Sequence, residues 1–190
     1  GVIAGIACAI KPQFLITPIL IEIYSAYKMR SLKSFLSTEM FLVLVIVAIA
    51  TVTTFLLYPD FAFVVTPYIL RNYYNNVSLP WREILSNAYM LYCLIPLALY
   101  LILPKQPQHH FLNPMLMVAM LSYLIIFFMQ RNNLYYHIIP ALSVAWILSS
   151  LQWVNIALQT NFTKRSLIAI IVTLALSAFL TFHFNNILWL

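Results

Sequence analysis

The residues best suited to chemistry are a few cations set in an apolar chain. Lys11 stands between Ile10 and Pro12, with apolar residues for many positions on both sides. A lysine there is costly in a bilayer unless it pairs, snorkels to the interface or faces a wet cavity. Pro12 suits the first turn of a new helix, whose free N–H groups and positive dipole end would point to the same place. Ammonium and helix N-terminus together would make a phosphate cradle; a lysine snorkelling at the interface is the plainer alternative. Arg131 and His137 bound a second polar knot, Gln130-Arg131-Asn132-Asn133-Leu134-Tyr135-Tyr136-His137-Ile138-Ile139-Pro140. Arginine clamps a phosphate through two parallel hydrogen bonds, which lysine cannot do. A histidine at a helix mouth can donate to a phosphate or shuttle a proton. An ordinary interfacial loop is built from the same residue types.

The carboxylates are few. Asp60, the only aspartate, follows Pro59 just outside an apolar run. It can act as a base or hold a divalent cation, although such a residue more often caps the turn. Glu83 beside Arg82 reads as a local ion pair or a first-turn carboxylate. Glu22 and Glu39 have Lys28 and Lys33 as expected partners. His109-His110 has no Cys or carboxylate near it in the loop, so no metal site is expected. Asn76-Val77-Ser78 and Asn161-Phe162-Thr163 match the glycosylation triplet. With only two glycines, the chain holds no Gly-rich phosphate loop, and no Walker, dinucleotide, zinc-protease or nucleophile-elbow motif is present.

Hydrophobic residues make up 64% of the chain and charged residues 7%, with a mean hydropathy of +0.94. A soluble domain is roughly half apolar and a quarter charged, so the chain reads as an all-α, polytopic transmembrane bundle. The apolar runs predict a partial span over 1–10 and about six full ones, over 13–28, 35–58, 84–103, 114–129, 138–157 and 167–184. A long polar interval, 59–83, separates the third and fourth runs. Pro96 predicts a kink, and Pro140 falls in the first turn of the helix expected from Ile138. Gly1, Gly5 and Ala9 repeat at every fourth position, which suits close helix packing. Cys8 and Cys93 both fall in apolar segments and read as small buried hydrophobes, with a disulfide as the alternative.

Counting Lys and Arg on alternate loops orients the bundle. Lys28, Arg30, Lys33, Lys105, Lys164 and Arg165 fall on one side; Arg71, Arg82 and Arg131 fall on the other, with Lys11 at its boundary. The richer side is expected to be cytoplasmic, so Lys11, Asp60, Arg71, Arg82, Arg131 and His137 are expected at the extracytoplasmic face. The formal charge of +6 points first to this loop asymmetry and second to an anionic ligand; no nucleic-acid partner is expected. The chain opens inside an apolar run, without Met, a basic n-region or a cleavage site. That predicts a piece of a longer protein rather than a signal peptide.

Two stretches carry a resemblance. Gly5-Ile6-Ala7-Cys8-Ala9-Ile10-Lys11-Pro12-Gln13, running into Leu15-Ile16-Thr17-Pro18-Ile19-Leu20, forms helix, Lys-Pro break and helix. Gln130 to Ala141 sets a basic residue before an aromatic-Tyr-His segment and a proline-started helix. Together they resemble the polytopic GT-C class of membrane glycosyltransferases, the superfamily of protein mannosyltransferases and bacterial aminoarabinose transferases. Many members have Lys-Gly where this chain has Arg131-Asn132-Asn133. The resemblance implies transfer of a sugar from a polyprenyl-phosphate carrier to an acceptor at the extracytoplasmic face of a bacterial inner membrane or its equivalent. It implies a catalytic carboxylate in a first outer loop upstream of Gly1, with Asp60 a weak stand-in. Lys11, Arg131 and His137 would contact the carrier phosphate, and Arg71 or Arg82 would add a second contact. The partners implied are the lipid-linked sugar donor, membrane lipids and an acceptor. No cofactor is implied, although a divalent cation is compatible. The competing reading is a transporter or flippase for an anionic lipid or solute, which also uses helix breaks and intramembrane cations. A scaffold subunit without a site of its own is the third.

Overall fold

The computed structural model describes residues 1–31, 37–77, 79–85, 88–102, 112–131 and 135–157, with 167, 168, 170, 171 and 175. Among these residues every regular element is helical, as the composition predicts. The expected sites at Lys33, Lys105, His109-His110, Asn161 to Thr163, Lys164 and Arg165 lie outside the described residues. So does most of the expected span over 167–184.

The chain falls into two compact units. The first comprises Gly1–Pro80 with Ile125–Asn132, and the second Trp81–Leu124 with Asn133–Leu190. In the first unit α1 (Val2–Ile10) ends at Lys11, whose backbone turns extended at φ −131° and ψ 91°. Pro12 forces this break, because it disfavours helix at the preceding residue. A 3-10 turn, Pro12–Leu15, then leads into α2 (Ile16–Met29). After it comes α3 (Thr38–Leu57), capped by the Ser37 hydroxyl, which accepts from Met40 N–H at 3.1 Å. The same hydroxyl donates to Glu22 of α2, so one serine closes α3 and ties it to its neighbour. Glu22 thus has a serine partner, and an expected pairing with Lys33 lies outside the described residues.

The small-residue stripe does what its spacing predicts. A Cβ on Gly5 would lie 2.8 Å from Ile46 Cδ1 and 3.3 Å from Val43 Cα, so only glycine allows α1 this close to α3. Gly1 faces Leu42 and Gly5 faces Ile46, the same offset of 41 residues, so the two helices run parallel.

The polar interval after α3 is helical. A π turn, Phe61–Val65, passes into α4 (Thr66–Val77), and α5 (Trp81–Leu85) follows in the second unit. Pro67 accounts for the wide turn: its ring and missing N–H cannot continue an α ladder through the residues before it. Both the backbone N–H and the hydroxyl of Thr66 bond the Phe61 carbonyl instead.

In the second unit α6 (Ala88–Ile102) packs against α8 (Tyr135–Ala157), and α7 (Leu112–Gln130) contributes to both units. α8 begins three residues ahead of the expected start at Ile138, so Pro140 sits inside the helix rather than in its first turn. Pro96 interrupts the ladder of α6, and Gln152 of α8 donates to the Pro96 carbonyl at 3.1 Å.

Among the described residues three helices are long and apolar enough to cross a membrane: Thr38–Leu57, Leu112–Gln130 and His137–Val154. They mark the chain as a membrane protein. The six full spans expected from the sequence are more than these. α2 has 14 residues, about 21 Å of helix against a hydrocarbon core of about 30 Å, because the Lys11-Pro12 break takes up its start. The apolar part of α6 is confined to Tyr92–Ile102.

Candidate functional site

Lys11 occupies the break between two helices, half-buried, with its ammonium 5.8 Å from the ring centre of Phe14. The constant offset between α1 and α3 puts Lys11 level with Val52. That is five residues, about 8 Å, short of the Leu57 end of the span. Lys11 therefore lies level with the body of α3 and not with its end. The helix that restarts at Pro12 directs its N-terminal end to this level, where the dipole favours an anion.

Arg131 closes α7. It takes a left-handed conformation, φ 49°, and its N–H bonds the Phe128 carbonyl at 3.2 Å. Glycine normally fills such a position, since a side chain there costs about 1–2 kcal/mol. The Arg131 carbonyl accepts Leu79 N–H at 2.7 Å, so this turn is tied to the segment that follows α4. The Arg131 side chain is half-buried. Arg71 is exposed on α4, and Asp60 is exposed at the head of the π turn, making no capping hydrogen bond with its side chain.

Lys11, Asp60, Arg71 and Arg131 all belong to the first unit. Within it α1 and the 3-10 turn pack on α3 and α2, whereas Arg131 is held by Leu79. Lys11 and Asp60 share the Leu57 end of α3. Arg82, exposed on α5, and His137, buried in the first turn of α8, belong to the second unit. Glu83 is a first-turn carboxylate of α5. Among the described residues no three His, Cys, Asp or Glu side chains come together as a metal site. Cys8 and Cys93 are buried free thiols.

The second unit holds a feature that sequence reasoning passed over. Tyr92 and Ile95 of α6 and Leu142, Ala145, Trp146, Ser149, Ser150 and Trp153 of α8 line a half-open groove of about 110 Å³. Its signal was in plain view: 142, 145, 146, 149 and 153 share one helical face, with two tryptophans at the i and i+7 positions. Gln152, next to this stripe, is buried, and its Oε1 has no hydrogen-bond partner among the described residues. No family model, no curated protein and no solved structure matches the chain.

Proposed function

We propose that this chain is part of a polytopic membrane glycosyltransferase, which moves a sugar from a polyprenyl-phosphate carrier to an acceptor at the extracytoplasmic face. Lys11 and Arg131 bind the carrier phosphate, with Arg71, Arg82 and His137 as further candidates for the same ligand. The observation that carries this reading is the position of Lys11. A lysine at an unwound break, beside the N-terminal end of a restarting helix, sets an ammonium and a helix dipole together, an arrangement that suits an anion. A lipid-borne phosphate supplies that anion at the membrane itself. A glycosyl phosphate departs as an anion, so fixed cations beside the leaving oxygen stabilise the charge that develops. Among this chain's own carboxylates Asp60 is the weak candidate for the catalytic group.

In the full-length enzyme, Lys11→Ala and Arg131→Ala should each lower sugar transfer from a polyprenyl-phosphate donor by about 100-fold, the usual cost of losing a charge-stabilising donor. Unchanged turnover in both variants would overturn the site assignment. A second reading, transport of an anionic lipid or solute, is favoured by the buried Gln152 bonded to the interrupted helix at Pro96. It predicts flux of the anion across proteoliposomes without covalent change.

A further inference from the structure

Among the described elements, the helix after α3 packs appreciably only on the π turn that precedes it. α3 has 20 residues, about 30 Å, long enough to traverse the hydrocarbon and bring Leu57 to the bilayer rim. Tyr58 leaves helical geometry there, at φ −133° and ψ 58°. Phe55 and Phe63, eight residues apart, then meet edge to face with centroids 5.3 Å apart. In one straight helix they would stand about 12 Å apart along the axis, so the chain turns sharply at Tyr58-Pro59. At its far end the segment is pinned again, because Leu79 N–H bonds the carbonyl of Arg131, the residue that closes the spanning helix α7. Pro59 therefore follows the end of one candidate span, and Leu79 is tied to the end of another.

The pattern of the residues between them fits that course. By register Thr66, Ile69 and Leu70 share one face of α4, with Arg71 and Asn72 away from it. Among the described elements α4 packs appreciably only on the π turn before it. Phe63, Val64, Ile69 and Leu70 are each more than half exposed. A run of bare apolar side chains along an otherwise polar helix calls for an apolar covering. Arg71 and Asp60 are the only charges between Pro59 and Pro80, and they cancel.

We propose that residues 59–77 form an in-plane amphipathic helix that docks on the headgroup–acyl boundary of the membrane the chain spans. The occupant of its apolar face is lipid. Continuity with two spans sets its depth, and its near-neutral polar face makes docking depend on acyl packing rather than on anionic headgroups. This inference stands whether or not the chain transfers a sugar, since it rests only on the spans.

The test is site-directed spin labelling of the full-length protein in phosphatidylcholine bilayers, with labels on Leu70→Cys and, separately, Asn72→Cys. The native Cys8 and Cys93 are buried and shielded from the label. The Leu70→Cys label should collide with oxygen and be protected from a water-soluble nickel complex, and the Asn72→Cys label should show the reverse. Adding anionic phosphatidylglycerol should leave both unchanged. Equal nickel access at the two positions would overturn the proposal by showing a helix free in water. Exclusion of both reagents from the Leu70→Cys label would overturn it by showing a protein covering that face. Docking that needs the anionic lipid would overturn the charge-independent mode.

Discussion

Two helix ends in this protein are closed by the same device but set in different surroundings. Arg30 ends α2 and Arg131 ends α7, each at φ 49°. At the first turn Arg30 N–H bonds Tyr27 O and Ser31 N–H bonds Ala26 O, a complete left-handed cap. At the second, Arg131 N–H bonds Phe128 O in the matching way. There the likeness ends. Arg30 is exposed, and its junction with α3 is held by other residues, Ser37 and Glu22. Arg131 is half-buried, and its own carbonyl is engaged by Leu79 from a remote part of the chain. A strained cap facing solvent needs no further account. One held in place by a tertiary contact has its backbone position fixed by a remote part of the chain, which suits the phosphate-binding role proposed for Arg131.

The largest difference between the two turns should appear in activity. Arg131→Ala should cost about 100-fold in sugar transfer, while Arg30→Ala should stay within about twofold, the range of an exposed surface change. Equal losses would mean that both act through folding. A sharper contrast comes from glycine, which relieves left-handed strain at either site. Arg30→Gly and Arg131→Gly should each raise stability by about 1 kcal/mol, read as a higher Tm in detergent. Only Arg131→Gly should lose transfer, and a variant both more stable and less active identifies strain kept for function. The smallest effect belongs to the structural junction. Ser37→Ala removes the cap of α3 and the Glu22 contact together, so it should cost about 1 kcal/mol of stability and leave the transfer rate of the folded enzyme unchanged.

The sequence disclosed some of this and concealed the rest for identifiable reasons. Lys11-Pro12 announced its break because proline restricts the residue before it. Gly1 and Gly5 announced the α1–α3 seam because small residues at that spacing serve close packing. The level of Lys11 along α3 was hidden, since it follows from the register of α1 on α3 and not from local preference. The left-handed turn at Arg131 was hidden because an arginine stands where glycine is expected. The helix over 66–77 was masked by its asparagines and by Pro67, which lower helix propensity and read as loop. The Gln152–Pro96 bond joins residues 56 positions apart and left no local trace.

The central claim is that Lys11 and Arg131 hold one phosphate, which requires their side chains to come within its reach. Its most direct test is cross-linking in the full-length protein, with Cys8 and Cys93 replaced by alanine and cysteines placed as Lys11→Cys and Arg131→Cys. A short bifunctional maleimide should join the two positions. No link between them, in a preparation where the control pair Leu79→Cys and Arg131→Cys is joined readily, would contradict the account.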